Sequence, residues 1–137
     1  LDPGAVAAAA LYHDASEILT GDMPTPIKYH DPAIRAAYKD VEAVASRKLL
    51  DLLPPELQNA YRPILLEEDG EIRQVVKAAD KLSAYIKCVE ELKAGNNEFR
   101  EAAAQTRRAL ESYDMPEVRY FLETFMDSFS LTLDELK

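Results

Sequence analysis

Apolar residues recur at steps of three and four along most of this chain, and no stretch alternates apolar and polar residues for long enough to predict a half-buried strand. Proline and glycine separate the periodic stretches, most clearly at Gly21, Pro54, Pro55 and Gly95. A helix with one apolar face is stabilised when another element covers that face. The pattern therefore predicts an all-α fold, an irregular bundle of helices.

Capping and chain-breaking residues set the expected helix boundaries. Asp2 and Pro3 are typical of a helix start, and we expect the first helix to extend to about Leu19. Residues 22–30 contain two prolines and are expected to form a stiff loop. Further helices are expected from Asp31-Pro32 to Pro54, from Pro55 with an interruption near Pro63, from Gly70 to Gly95, and over residues 97–113 and 116–129, before a tail that is either extended or a closing turn.

Two of these helices carry a continuous apolar stripe, which we expect to be buried. The stripe of the second helix comprises Ile34, Tyr38, Val41, Ala45, Leu49 and Leu52. That of the long helix comprises Ile72, Val76, Ala79, Ser83, Ile86 and Val89, and can extend to Leu92.

Length and composition indicate one soluble domain spanning residues 1–137. The longest apolar runs are shorter than the ~20 residues of a membrane span, and no secretory leader is recognisable. The lone Cys88 excludes an intramolecular disulfide and favours a reducing compartment. The chain begins with Leu1 instead of Met, and we expect that upstream residues are missing from it.

The net charge of −9 disfavours binding to a long polyanion such as duplex DNA, which requires Lys and Arg at the phosphates. A small anionic substrate remains possible, because a bound metal ion can reverse the local charge.

One of only two histidines, His13, stands beside Asp14 in an apolar run. On a continuous helix Glu17 would share the face of His13, and Asp14 would lie about 100° round the axis. Imidazole next to a carboxylate suits a divalent transition ion better than calcium, and Glu17 could move a proton to or from a bound water. The alternative is that His13 is a packed histidine and Asp14 a surface acid.

A second His-Asp pair shows how little the dipeptide proves by itself. Asp31 follows His30 and precedes Pro32, so helix capping explains its carboxylate. No acid or histidine follows one turn later. Capping is the better interpretation of His30-Asp31.

A metal site needs further ligands, and Asp80 is the best candidate. It lies in the long helix beside Val76 and Ala79, where an unpaired carboxylate would be costly to bury. Alternatively Asp80 pairs with Lys77 or Lys81, or faces water. Neither Cys88 nor His30 is well placed as a fourth ligand, so one ligand is missing from this chain.

Asp22 and Thr25 allow two interpretations. They either shape a turn or, on a rigid loop after the metal-bearing helix, recognise substrate.

Three strings identify a family resemblance. Residues 12–29 (YHDASEILTGDMPTPIKY), 77–99 (KAADKLSAYIKCVEELKAGNNEF) and 128–136 (SFSLTLDEL) resemble, in this order, the bacterial HD-domain 5'-deoxynucleotidases of the HD-domain metal-dependent phosphohydrolase superfamily. The first string is far more specific than an HD pair. The resemblance covers nearly all of the chain and implies an HD-domain helical bundle that lacks its N-terminal helices.

The resemblance implies specific roles and a specific reaction. His13, Asp14 and Asp80 would be metal ligands, with Asp14 and Asp80 also against substrate, and Glu17 would be the catalytic glutamate. Asp22, Met23, Pro24 and Thr25 would contact the substrate. The implied reaction is hydrolysis of deoxyribonucleoside 5'-monophosphates, in preference to ribonucleotides, with a divalent ion such as cobalt or manganese. The family's members are cytoplasmic homodimers.

The resemblance also leaves a gap and two alternatives. The family's first metal histidine and a substrate-binding Arg-Trp pair lie upstream of the matched region. The chain could instead be another HD-type phosphohydrolase, acting on a cyclic nucleotide, a nucleoside triphosphate or a guanosine polyphosphate. It could also be a non-catalytic helical module with a structural His13.

Overall fold

The computed structural model describes residues 1–28 and 30–135, and for Thr25 the backbone alone. These residues form helices and turns without a strand, which confirms the all-α prediction. The α-helices are α1 (Pro3–Tyr12), α2 (Glu17–Thr20), α3 (Thr25–Lys28), α4 (Pro32–Asp51), α5 (Pro55–Leu65), α6 (Gly70–Lys93), α7 (Arg100–Glu111) and α8 (Pro116–Thr124). Short 3₁₀ helices cover Asn97–Phe99 and Met126–Ser130. No helix in the described ranges has the length and apolar character that a membrane crossing requires.

The chain divides into two compact units, Leu1–Val76 and Lys77–Lys137. In the first unit, α4 packs against α2, α3 and α5, and α1 packs against α5. The rings of Tyr12 and Tyr61 meet edge to face, with centroids 5.6 Å apart. The long helix α4 is therefore the scaffold against which the segment after α1 is held.

The second unit has its own apolar core. Its buried residues are Ala78, Tyr85, Cys88, Ala103, Leu110, Val118 and Met126. Leu110 is fully enclosed, and burial of one such side chain contributes about 1.5–3 kcal/mol. The hydroxyl of Tyr85 accepts a hydrogen bond from Arg107 at 3.2 Å, so its polar end is satisfied.

Two predicted helix starts are confirmed in atomic detail. The carboxylate of Asp2 accepts from the amide of Gly4 at 2.8 Å. The carboxylate of Asp31 accepts from the amide of Ala33 at 2.6 Å. Each cap satisfies an amide that has no partner within its helix. Capping is thus the observed role of Asp31 in the second His-Asp pair.

Three details of the predicted helix and loop pattern are wrong. The first helix ends at Tyr12 and not near Leu19. The expected loop contains α3, because its two prolines occupy or precede the first turn, where a missing amide hydrogen costs little. α5 is not interrupted at Pro63, which lies near the end of that helix. The helices predicted over 97–113 and 116–129 each include a 3₁₀ turn.

Parts of two predictions fall outside the described residues. Tyr29, in the loop prediction, and Leu136 and Lys137, in the tail, are among these. Within the described tail, residues 133–135 form a turn. The carboxylate of Glu135 accepts from the amide of Thr132 at 2.8 Å.

The predicted apolar stripes are only partly correct. On α4, Tyr38 and Ala45 are buried, whereas Ile34 and Val41 are exposed, as is Leu52 immediately after the helix. On α6, Val76 is buried as predicted, but Ala79 and Ser83 are exposed, and Ala78, Tyr85 and Cys88, which lie outside the predicted stripe, are buried. The buried face of α6 is rotated because Tyr85 and Cys88 join the core with α7 and α8.

Replacing the cap residue tests the interpretation of the second His-Asp pair. We expect Asp31→Ala to lower the free energy of unfolding by about 1 kcal/mol, because the amide of Ala33 loses its acceptor. Asp31→Asn keeps an acceptor at the same place and should stay close to wild type. Urea denaturation measures both. Equal destabilisation by the two variants would contradict capping as the role of Asp31.

Candidate metal centre

His13 lies at the point where α1 stops. Its Nδ1 donates to the carbonyl oxygen of Ala10 at 2.7 Å, the oxygen that a continuing α-helix would pair with the amide of Asp14. The following amides instead bond three residues back, as from Ala15 to Tyr12 and from Glu17 to Asp14. We infer that the imidazole competes with the helical ladder and ends α1. His13 and Glu17 therefore do not lie one turn apart on a continuous helix, contrary to the prediction.

The same hydrogen bond fixes which ring nitrogen of His13 carries the proton. A carbonyl oxygen only accepts, so the proton of the neutral ring lies on Nδ1 and the lone pair lies on Nε2. Nε2 is 3.0 Å from Oδ2 of Asp14. Two acceptors at this separation repel each other unless a proton or a cation binds them.

The donor pair fits a divalent ion. With metal-ligand bonds of about 2.1 Å, adjacent ligand atoms of a six-coordinate ion lie about 3 Å apart, as Nε2 and Oδ2 do. Metal-binding histidines commonly donate their other ring nitrogen to a carbonyl or carboxylate, and His13 does so to Ala10. The side chain of His13 is 30% exposed and that of Asp14 is 61% exposed, so both are open to solvent.

Glu17 lies in a strongly acidic environment. Partial burial raises the pKa of Glu17, and the carboxylates of Asp14 and Asp22 raise it further. Glu42 acts in the same direction, whereas the ammonium of Lys28 opposes them. A raised pKa is a common property of carboxyl groups that take part in proton transfer.

The segment after α2 begins with a glycine that no other residue replaces easily. Gly21 has φ 71° and ψ 164°, a conformation almost confined to glycine. Its carbonyl oxygen accepts from the hydroxyl of Tyr38 at 2.7 Å and from Oγ1 of Thr20 at 2.8 Å. The turn is thus anchored to α4 immediately before Asp22.

The predicted substrate residues follow this turn. Asp22 and Pro24 are exposed, Met23 is half-buried, and Thr25 begins α3. The carbonyl of Pro24 accepts from the amides of Ile27 and Lys28 at 2.9 and 3.0 Å. The four residues therefore form a short link between two fixed points, the turn at Gly21 and the first turn of α3.

Three residues near this segment were missed in the sequence analysis. Nζ of Lys28 lies 2.8 Å from Oε1 of Glu42 and 4.8 Å from the centre of the Tyr38 ring. The spacing of Tyr38 and Glu42, four residues apart on α4, could have indicated that they share a face. No pattern in the sequence links Lys28 to that face.

Asp80 lies on α6 in the second unit. It is exposed, as is the neighbouring Ala79, which fits the alternative that Asp80 faces water better than a place among buried apolar residues. No group of three or more His, Cys, Asp or Glu side chains with the geometry of a metal site occurs among residues 1–28 and 30–135. Within the first unit, the structure brings the predicted ligands His13 and Asp14 together.

Comparison with known proteins decides the family. The family model described as 5'-deoxynucleotidase YfbR-like matches residues 1–129. A 5'-deoxynucleotidase of Photobacterium profundum is 49% identical over 139 residues, covering 98% of this chain and 71% of that protein. A 5'-deoxynucleotidase of Yersinia pestis (strain Pestoides F) is 52% identical over 133 residues, covering 96% of this chain and 68% of that protein. The chain belongs to the YfbR-like 5'-deoxynucleotidase family.

Membership in the YfbR-like family confirms the resemblance drawn from the three sequence strings. The match includes the helix end at His13, the Gly21 turn and Asp80. The HD-domain phosphohydrolases, to which the YfbR-like family belongs, are metal-dependent.

Two glycines provide a sharp test of the turn in this YfbR-like chain. A Cβ atom would meet nothing within 4 Å at either Gly21 or Gly70, but only Gly21 has a positive φ. We expect Gly21→Ala to lower the free energy of unfolding by about 1–3 kcal/mol through backbone strain. Gly70→Ala, at the start of α6, should raise it by up to about 1 kcal/mol. Urea denaturation measures the free energy of unfolding of both variants, which should change in opposite directions. A neutral or stabilising Gly21→Ala would contradict the strained turn.

Proposed function

We propose that this chain is a metal-dependent phosphohydrolase that removes the 5'-phosphate of deoxyribonucleoside 5'-monophosphates, yielding the deoxynucleoside and inorganic phosphate. The curated relatives at about half identity are named 5'-deoxynucleotidases, and the alignment covers nearly all of this chain. The structural observation that carries the proposal is the His13-Asp14 donor pair, with Nε2 and Oδ2 3.0 Å apart.

His13 and Asp14 are the proposed ligands in the first unit, and Asp80 is the proposed ligand on α6. Imidazole and carboxylate donors suit cobalt or manganese, which we propose as the cofactor. When bound, such an ion supplies positive charge at the phosphate and lowers the pKa of water, toward about 7 in the best cases. The bond from Nδ1 of His13 to Ala10 holds the imidazole in the tautomer that this role requires.

The charges around Glu17 explain why a cation is needed. The negative charges of Asp14, Asp22 and Glu42 all raise the pKa of Glu17. A phosphate monoester is dianionic and would be repelled by these groups. Lys28, the nearby cation, is paired with Glu42 at 2.8 Å. A metal ion is therefore the natural source of positive charge for the substrate.

Glu17 is the proposed catalytic residue. Hydrolysis joins a water oxygen to phosphorus and breaks the bond from phosphorus to the 5'-oxygen, so one proton must leave the water and one must reach the departing oxygen. The partly buried environment raises the pKa of Glu17, which suits its carboxyl group to exchange a proton at this stage.

Residues Asp22, Met23, Pro24 and Thr25 are the proposed substrate contacts. The link is short, contains a proline and is fixed at both ends, so little conformational entropy is lost when it meets a ligand. A rigid wall at the 2'-carbon would exclude the extra hydroxyl of a ribonucleotide. We propose that this link forms part of that wall.

The family resemblance also leads us to propose a cytoplasmic homodimer. The one cysteine of the chain, Cys88, is a buried free thiol, which fits a reducing compartment. Large apolar side chains such as Leu11 and Ile18 are more than three-quarters exposed and could be covered by a second copy.

Phosphate release separates the proposed reaction from its alternatives. With cobalt or manganese, the purified protein should release phosphate from dAMP faster than from AMP, and should leave dATP and cyclic AMP largely unhydrolysed. Equal rates with dAMP and AMP would contradict deoxy-specificity, and no release from any substrate would favour a non-catalytic module.

Glu17→Gln tests the catalytic role in the same assay. We expect kcat for dAMP to fall roughly 10²- to 10⁴-fold, because the amide cannot exchange the proton, while metal content and the free energy of unfolding stay near wild type. The control is Glu56→Gln, an exposed acid in the first turn of α5, which should keep full activity. Comparable activity of the two variants would contradict a catalytic Glu17.

A further inference from the structure

We propose that Tyr38 and Glu42 are positioning residues on one face of α4. They clamp the link of residues 22–25, the segment proposed to contact the substrate. The two residues are four positions apart on this helix, so their side chains project from the same side. Tyr38 binds the chain just before the link, and Glu42 binds it just after. The inference rests on the proposed function, because it assigns the clamp to the segment that would contact the deoxynucleotide.

The first point of the clamp is the hydrogen bond from the Tyr38 hydroxyl to the carbonyl of Gly21, at 2.7 Å. The ring of Tyr38 is buried, which leaves its hydroxyl little freedom to move. Thr20 also donates to the carbonyl of Gly21, and its Oγ1 lies 3.5 Å from the hydroxyl of Tyr38, so this contact of Thr20 with α4 also involves Tyr38. Tyr38 is thus the residue that fixes this turn to the scaffold.

The second point is the ion pair between Lys28 at the end of α3 and Glu42, at 2.8 Å. Both side chains are about one-quarter exposed, so solvent screens the pair less than a surface salt bridge. Lys28 also lies over the ring of Tyr38, 4.8 Å from its centre. The two points therefore reinforce each other through Lys28.

A link held at both ends presents Asp22, Met23 and Pro24 in one arrangement relative to Glu17. Glu17 belongs to α2, which ends at Thr20 next to the Tyr38 contact and itself packs against α4. Loss of the clamp would leave Glu17 and the metal donors in place but let the link move. Substrate binding and discrimination against ribose should then suffer more than the chemical step.

Tyr38→Phe and Glu42→Gln test the clamp, with Tyr85→Phe as the matched control. The control also removes the hydroxyl of a buried tyrosine, one that bonds Arg107 in the second unit. Hydrogen exchange of the amides of Ile27 and Lys28 is measured without substrate, and KM and kcat are measured with dAMP and AMP. A lost hydrogen bond of ordinary strength corresponds to a change of roughly three- to tenfold.

We expect each clamp variant to speed exchange of these amides, to raise KM for dAMP by such a factor with kcat changed less, and to reduce the preference for dAMP over AMP. Tyr85→Phe should leave all three unchanged. Clamp variants that match Tyr85→Phe in exchange and in KM would overturn the inference. If the wild-type protein hydrolyses no dAMP, the proposed function fails, and the exchange comparison alone decides for or against the clamp.

Discussion

The hydrogen bond from Nδ1 of His13 to the carbonyl of Ala10 is the interaction on which the candidate site depends. It removes from the helical ladder the carbonyl that would continue α1, and the chain turns more tightly from that point. The same bond fixes the imidazole tautomer, so that Nε2 faces the carboxylate of Asp14. One side-chain contact thereby sets both the local backbone and the donor geometry.

The carboxylates near this donor pair make the binding of a cation favourable. Carboxylates close together raise the free energy of the folded chain unless positive charge offsets them. Lys28 supplies some of that charge but also fastens α3 to Glu42 on α4. A divalent ion at His13 and Asp14 would supply more, and would turn a region that repels phosphate into one that binds it.

Local sequence signals predicted the helical class, the caps at Asp2 and Asp31 and the start of α6, because such signals act over a few residues. They failed at His13, since a helix that stops without glycine or proline leaves no pattern. The pairing of Lys28 with Glu42 was also invisible, because fourteen residues separate them and only the packing of α3 on α4 brings them together. On α6 the period of the apolar residues predicted burial of Ala79 and Ser83 wrongly, because the buried face of this helix includes Tyr85 and Cys88.

The most direct test of a metal centre at His13 is to compare the metal affinities of two variants, one at each histidine. Each histidine precedes an aspartate, but Asp31 caps α4 while Asp14 faces Nε2 of His13. Calorimetric titration with Mn²⁺ should give His30→Ala the affinity of the wild-type protein, and His13→Ala an affinity roughly tenfold or more weaker. Equal Mn²⁺ affinity for all three proteins would contradict a metal centre at His13.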